Sequence, residues 1–292
     1  MRKGISVHNR YELREIAKSI YSVCYDVEIG IVGNKKEDAI AWARTNSLRH
    51  AHTIAAILYY IETNGLSRVR ILNASGLASG HQDLSIAGFL RKNIDISLEW
   101  VAIESPASPY HGGLIFQEHM RREGIEIKLM DFTKDFDRWD FQESKYDVII
   151  FTEIAEHLDH TTLLHALSFI RGIMANNGIL ILTTPNLVHL ANRVRFLFGI
   201  GSSGYFGDGI TNLEAGLYGH VAQYDIGMIG RLLKDVGFKI DWWSTPTFGY
   251  GPTEFTVATK LVSALSCLIP NSGREIFLIA SVTEPSRIPF QI

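Results

Sequence analysis

The chain has 292 residues, 46% hydrophobic and 20% charged, which is enough apolar material for one large α/β core and argues against wholesale disorder. With 28 Lys and Arg against 31 Asp and Glu, the formal charge is −3, so no global field draws the protein to nucleic acid. The two cysteines, Cys24 and Cys267, exclude a disulfide framework and point to a reducing cytoplasm, and no run of about 18 apolar residues or signal-peptide pattern is present.

From Asn9 to about Asn64 the apolar residues recur at helical spacing: Leu13, Ile16, Ile20 and Val23, then Ile54, Ile57, Leu58 and Ile61 before the Asn64–Gly65 stop. After Gly65 short apolar runs alternate with amphipathic stretches, the pattern of repeated βαβ units and a parallel sheet. Strands are predicted at 69–75, 98–104, 125–131, 146–153, 178–185, 238–246 and 274–282. Helices are predicted at 83–93, 111–122, 161–175 and 225–236, with an apolar helix near 255–268. At LLKDVGFKI a helix should end on Gly237, which takes positive φ easily. The stretch 199–219 is rich in Gly and Ser and too long for a plain connector, as binding loops and lids are.

In an open parallel sheet ligands bind at the carboxyl ends of the strands, where the strand order reverses. Polar and small residues gather at those ends. The turn ILNASGLASGHQD brings Asn73, Ser75, Gly76 and Gly80 after the first strand, leaving room for a ligand against the backbone; it is equally the signature of a tight strand–helix corner. Glu104 ends the second strand, where a carboxylate can accept both hydroxyls of a ribose. Asp131 and Phe132 follow the third, suited to an adenine amino group and ring, or to an Asx turn beside a core aromatic. His50 and His52 do not share a helical face and read as solvated or packing residues.

The order of glycine turn, strand-end acid and second acid, followed by YDVIIFTEIAEHLDH, GILILTTPN and GHVAQYDIGMIGRLLKDVGF, resembles the class I S-adenosylmethionine-dependent methyltransferases, in particular a subgroup with a Glu-His box after strand four. The resemblance covers about residues 45–285. It implies a Rossmann-like, mostly parallel seven-stranded sheet with an antiparallel last strand, an N-terminal helical cap over 1–64, a methyltransferase domain over 65–292 and a substrate-side insertion at 186–222. It implies S-adenosylmethionine as cofactor, held by Asn73, Ser75, Gly76, Gly80, Glu104, Asp131, Phe132 and Glu153, with His157 and His220 on the acceptor side. Members usually carry an acid at the position of Asn73 and a glycine at that of Ser75, so this chain departs from the pattern there.

The Glu153-x-x-Glu156-His157 spacing also resembles metal-binding boxes of some O-methyltransferases, and a helix starting here would set the two carboxylates on one face. Methyl transfer to oxygen of a sugar-like, glycan or other small hydroxylated acceptor is the expected reaction. A non-catalytic scaffold on the same fold, favoured by Asn73 and Ser75, and a nicotinamide oxidoreductase, disfavoured by the lack of Gly-x-Gly-x-x-Gly, are the alternatives.

Overall fold

The computed structural model describes residues 10–32, 36–75, 81–104, 120–131, 145–202, 220–247, 264–266 and 268–283. Two helices, α1 (Arg10–Val32) and α2 (Lys36–Asn64), lead into strand β1 (Arg68–Asn73). Then come α3 (His81–Asn93), β2 (Ser97–Glu104), β3 (Ile125–Leu129) and β4 (Tyr146–Thr152). The second half runs α4 (His160–Ile173), β5 (Met174–Pro185), α5 (Leu190–Leu197), α6 (Ile226–Val236), β6 (Phe238–Ser244) and β7 (Glu275–Val282). The seven strands form one sheet in the order β3-β2-β1-β4-β5-β7-β6. Pairings from β3 to β5 are parallel, and β7 runs antiparallel between β5 and β6. This is the expected Rossmann-like sheet with its antiparallel last strand.

Burial on both faces explains the unbroken apolar runs. In β4 every residue from Val148 to Phe151 is buried, because alternate side chains enter two different cores. Ile149 and Phe151 join Leu72, Leu180 and Leu182 against Leu163, Leu167 and Ile170 of α4 and Ile229, Leu233 and Val236 of α6. Val148 and Ile150 join Ile71, Trp100 and Ile181 against Ile54 and Ile57 of α2 and Ile86 and Leu90 of α3. The N-terminal helices therefore supply part of a layer of the sheet's own core. His50 is buried with its Nδ1 3.9 Å from Cys24 Sγ, and the His52 ring packs on Phe277, where burial lowers its pKa to about 4. Both are packing residues.

Local signals set the boundaries. Asp225 caps α6 by accepting from the Met228 amide, and Gly237 ends it with φ 95°. Asp159 caps α4, accepting from the amides of Thr161 and Thr162. Two elements were not foreseen: α5 and a short 3-10 turn, Ala155–His157, where a longer helix was an option. Most of the helices expected at 111–122 and 255–268, and most of the Gly-rich stretch 199–219, lie outside the described residues. No helix among the described residues is long and apolar enough to cross a membrane.

Candidate functional site at the carboxyl edge of the sheet

Strand order reverses between β1 and β4, so the crevice for a ligand opens where these two strands end. Asn73, the last residue of β1, is buried and held from two sides. Its Nδ2 donates to both carboxylate oxygens of Asp83, at 2.9 and 3.0 Å, and its Oδ1 accepts from the Ser75 amide at 3.0 Å, closing an Asx turn. The indole Nε1 of Trp100 also donates to Asp83, at 2.6 Å. Asp83 thus brings a buried carboxylate from α3 against the end of β1. Burial pushes the Asp83 carboxyl up to about 7, against the pull of the Asn73 and Trp100 donors.

Ser75 explains its own departure from glycine. Its Oγ lies 2.9 Å from Thr152 Oγ1 and accepts from the Thr152 amide at 2.8 Å, while Gln82 Nε2 donates to Thr152 Oγ1 at 2.9 Å. The hydroxyl fastens the end of β1 to the end of β4 across the crevice. Gly76 and Gly80 lie outside the described residues, as does Phe132. Glu104 ends β2 with 4% exposure, and its backbone carbonyl accepts from the Met130 amide, which brings the β3 exit and half-buried Asp131 alongside. A buried carboxylate at the ligand edge, beside a hydroxyl-rich crevice, is a donor and acceptor set that fits a ribose-bearing cofactor.

Beyond the crevice, β4 delivers the acidic box. Glu153 has φ 55°, and its Oε1 accepts from Thr183 Oγ1 at 2.8 Å. Its carboxylate engages Thr183 and Arg49 rather than sharing a helical face with Glu156. Glu156, on the 3-10 turn, is buried and accepts from Thr184 Oγ1 at 3.0 Å. Burial, then the charge of Glu153, holds its carboxyl well above the usual carboxylate range. The backbone carbonyl of Glu156 accepts from the amides of both Val221 and Ala222, at 2.8 and 3.1 Å. Those two bonds dock the segment carrying His220 onto the turn. The His157 and His220 rings consequently meet edge to face with centroids 4.9 Å apart. One ligand atom from each of Glu156, His157 and His220 lies within 4.8 Å of the others, a spacing that could hold a divalent cation.

Sequence reasoning brought forward Asn73, Ser75, Glu104, Asp131, Glu153, Glu156, His157 and His220 and missed Asp83, Arg49 and Glu275. Of these three, Glu275 carried a usable signal, a lone carboxylate at the start of an otherwise apolar strand that proves fully buried.

Residues 107–241 match a family model described as a methyltransferase domain. No curated protein matches the chain. Among solved structures, it is similar to a selenomethionine-substituted CurJ carbon methyltransferase at 17% identity, covering 94% of this chain and 69% of that one, with a TM-score of 0.51. The citrinin polyketide synthase CMeT domain matches at 13% identity over 94% of this chain and 66% of that one, with a TM-score of 0.54. The DszA carbon methyltransferase matches at 13% identity over 95% and 68%, with a TM-score of 0.53. This chain spans about two thirds of the length of each of the three. Such identities speak to the fold, which the strand order shares, while the methyltransferase-domain match covers residues 107–241.

Proposed function

We propose that this chain is a class I S-adenosylmethionine-dependent methyltransferase that methylates an oxygen of a sugar-like or other small hydroxylated acceptor. In this reading the cofactor lies along Asn73, Ser75, Gly76, Gly80, Glu104, Asp131, Phe132 and Glu153, and His157 and His220 face the acceptor. The observation that carries it is the meeting of His157 and His220 over the buried Glu156 at the end of β4, a polar, imidazole-bearing corner beside the crevice. When bound, S-adenosylmethionine supplies an electrophilic methyl on a sulfonium, and attack on it needs alignment more than covalent help. A hydroxyl acceptor must also lose its proton, and in this reading an imidazole nitrogen of His220 or His157 takes it. Glu156 and Thr184 hold the turn that carries His157.

Two measurements test the two halves. S-adenosylhomocysteine should bind in calorimetry, NAD at comparable concentration should not, and Glu104→Ala should weaken the adenosyl ligand at least about tenfold with the fold intact by circular dichroism. Equal affinity in the variant would place the ribose elsewhere. For the acceptor, labelled methyl should enter a metabolite extract, and periodate treatment of that extract, which destroys vicinal diols, should remove the labelling. Undiminished labelling would refute a sugar-like acceptor.

The ligand spacing of Glu156, His157 and His220 favours a second reading, in which they hold a divalent metal that engages the acceptor oxygens. Chelation should then abolish labelling, and added magnesium or manganese should restore it. Full activity in excess chelator would leave the three side chains as acid–base and positioning groups.

A further inference from the structure

Helix α2 reaches the carboxyl edge of the sheet through one charged side chain. Arg49 Nη2 lies 2.6 Å from Glu275 Oε1 and its Nε donates to Glu275 Oε2 at 3.3 Å, a fork onto a carboxylate that is fully buried. The same Nη2 stands 3.5 Å from Glu153 Oε2. Glu153 occupies the left-handed region, with φ 55°, which costs a non-glycine residue free energy and persists where the surroundings over-determine it. Its amide donates to the Thr183 carbonyl at 3.0 Å and its Oε1 accepts from Thr183 Oγ1. These two contacts come from the neighbouring strand β5. The third, Arg49, comes from a helix more than a hundred residues away in sequence. The polar neighbours of Arg49 on α2, namely Thr45, Asn46 and Thr53, are buried too, so this stretch of the helix is set into the structure rather than facing solvent.

We propose that Arg49 is a positioning residue: anchored on Glu275, it holds Glu153 in the left-handed conformation, so that the exit of β4 takes its site geometry only with α2 docked. Glu153 in turn sets where the 3-10 turn bearing Glu156 and His157 begins. The inference rests on the methyltransferase reading for its ligand arm alone. A plain clamp between α2 and β7 would use the Arg49–Glu275 pair equally well but would leave Glu153 indifferent to Arg49, and that is the difference to measure.

Arg49→Gln by itself strands a buried carboxylate and can unfold the chain, so the informative protein is R49Q/E275Q, which removes the pair as a whole. By hydrogen–deuterium exchange, amides of residues 153–157 should exchange at least about tenfold faster than in wild type, while those of 148–151 in the same strand stay protected. Adding Glu153→Gly, which accepts positive φ without a side-chain penalty, should return the 154–157 amides toward wild-type protection. In parallel, R49Q/E275Q should bind S-adenosylhomocysteine about tenfold more weakly than wild type. Wild-type exchange at 153–157 in the double variant, or no recovery with glycine at 153, overturns the role of Arg49. A wild-type protein that fails to bind S-adenosylhomocysteine instead removes the cofactor reading and leaves the exchange result to decide this one.

Discussion

Replacing His220 by alanine is expected to lower methyl incorporation by about 10²–10⁴-fold, the range for loss of general acid–base help, with S-adenosylhomocysteine affinity near wild type. The expectation follows from how His220 is held. Val221 and Ala222 donate their amides to the Glu156 carbonyl, which docks the segment on the turn and brings the His220 ring beside His157. Deleting the imidazole leaves those two backbone bonds available, so the segment should stay docked while function is lost. His157→Ala is the companion: a comparable loss in both, no larger in the double variant, would show the two rings acting as one unit. Normal turnover in His220→Ala would make it a packing residue. Simultaneous loss of turnover and adenosyl-ligand affinity would move it to the cofactor side of the crevice.

Asp83→Asn is expected to change the pH dependence of stability. A carboxyl raised from its ordinary 3.8 to about 7 by burial binds its proton more tightly in the folded chain than in the unfolded one. The sign follows: stability from this group is greatest below about 3.8, is lost as pH rises toward about 7, and stays lost above it. The total is on the order of 4 kcal/mol. Urea unfolding of both proteins at about pH 5.5 and about pH 8 isolates it, because other titrating groups cancel in the difference. Wild type should lose about 2 kcal/mol relative to Asp83→Asn between the two conditions. A constant difference between the proteins would mean that Asp83 stays ionised throughout, stabilised by Asn73 and Trp100 beyond the cost of burial. The asparagine also presents an amide to one of those donors, so the Asx turn at Asn73 should loosen and adenosyl-ligand affinity should fall with it.

What the amino-acid order determined by itself was whatever depends on near neighbours in the chain. Apolar runs such as VIIF in β4, bounded by polar turns, fixed strands buried on both faces, and the 3.6-residue spacing of Ile54, Ile57 and Ile61 fixed α2. Gly237 stopped α6 because positive φ there is free of a side-chain penalty. Together with the rule that ligands sit at strand ends, those local signals were enough to bring forward Glu104, Glu156 and His157 before any packing was known. Only the tertiary structure decided which of these residues meet. Ten residues separate Asn73 from Asp83, and 226 separate Arg49 from Glu275. Neither pairing has a periodicity to read, since each depends on how a helix is laid against the sheet. The same holds for the acidic box: Glu153 and Glu156 had helical spacing, but the backbone turned left-handed at Glu153 and tightened to a 3-10 turn. That sent one carboxylate to Thr183 and Arg49 and the other to Thr184 beneath the two histidines. A single backbone dihedral gave the two carboxylates different hydrogen-bond partners, although the charge of Glu153 still bears on Glu156.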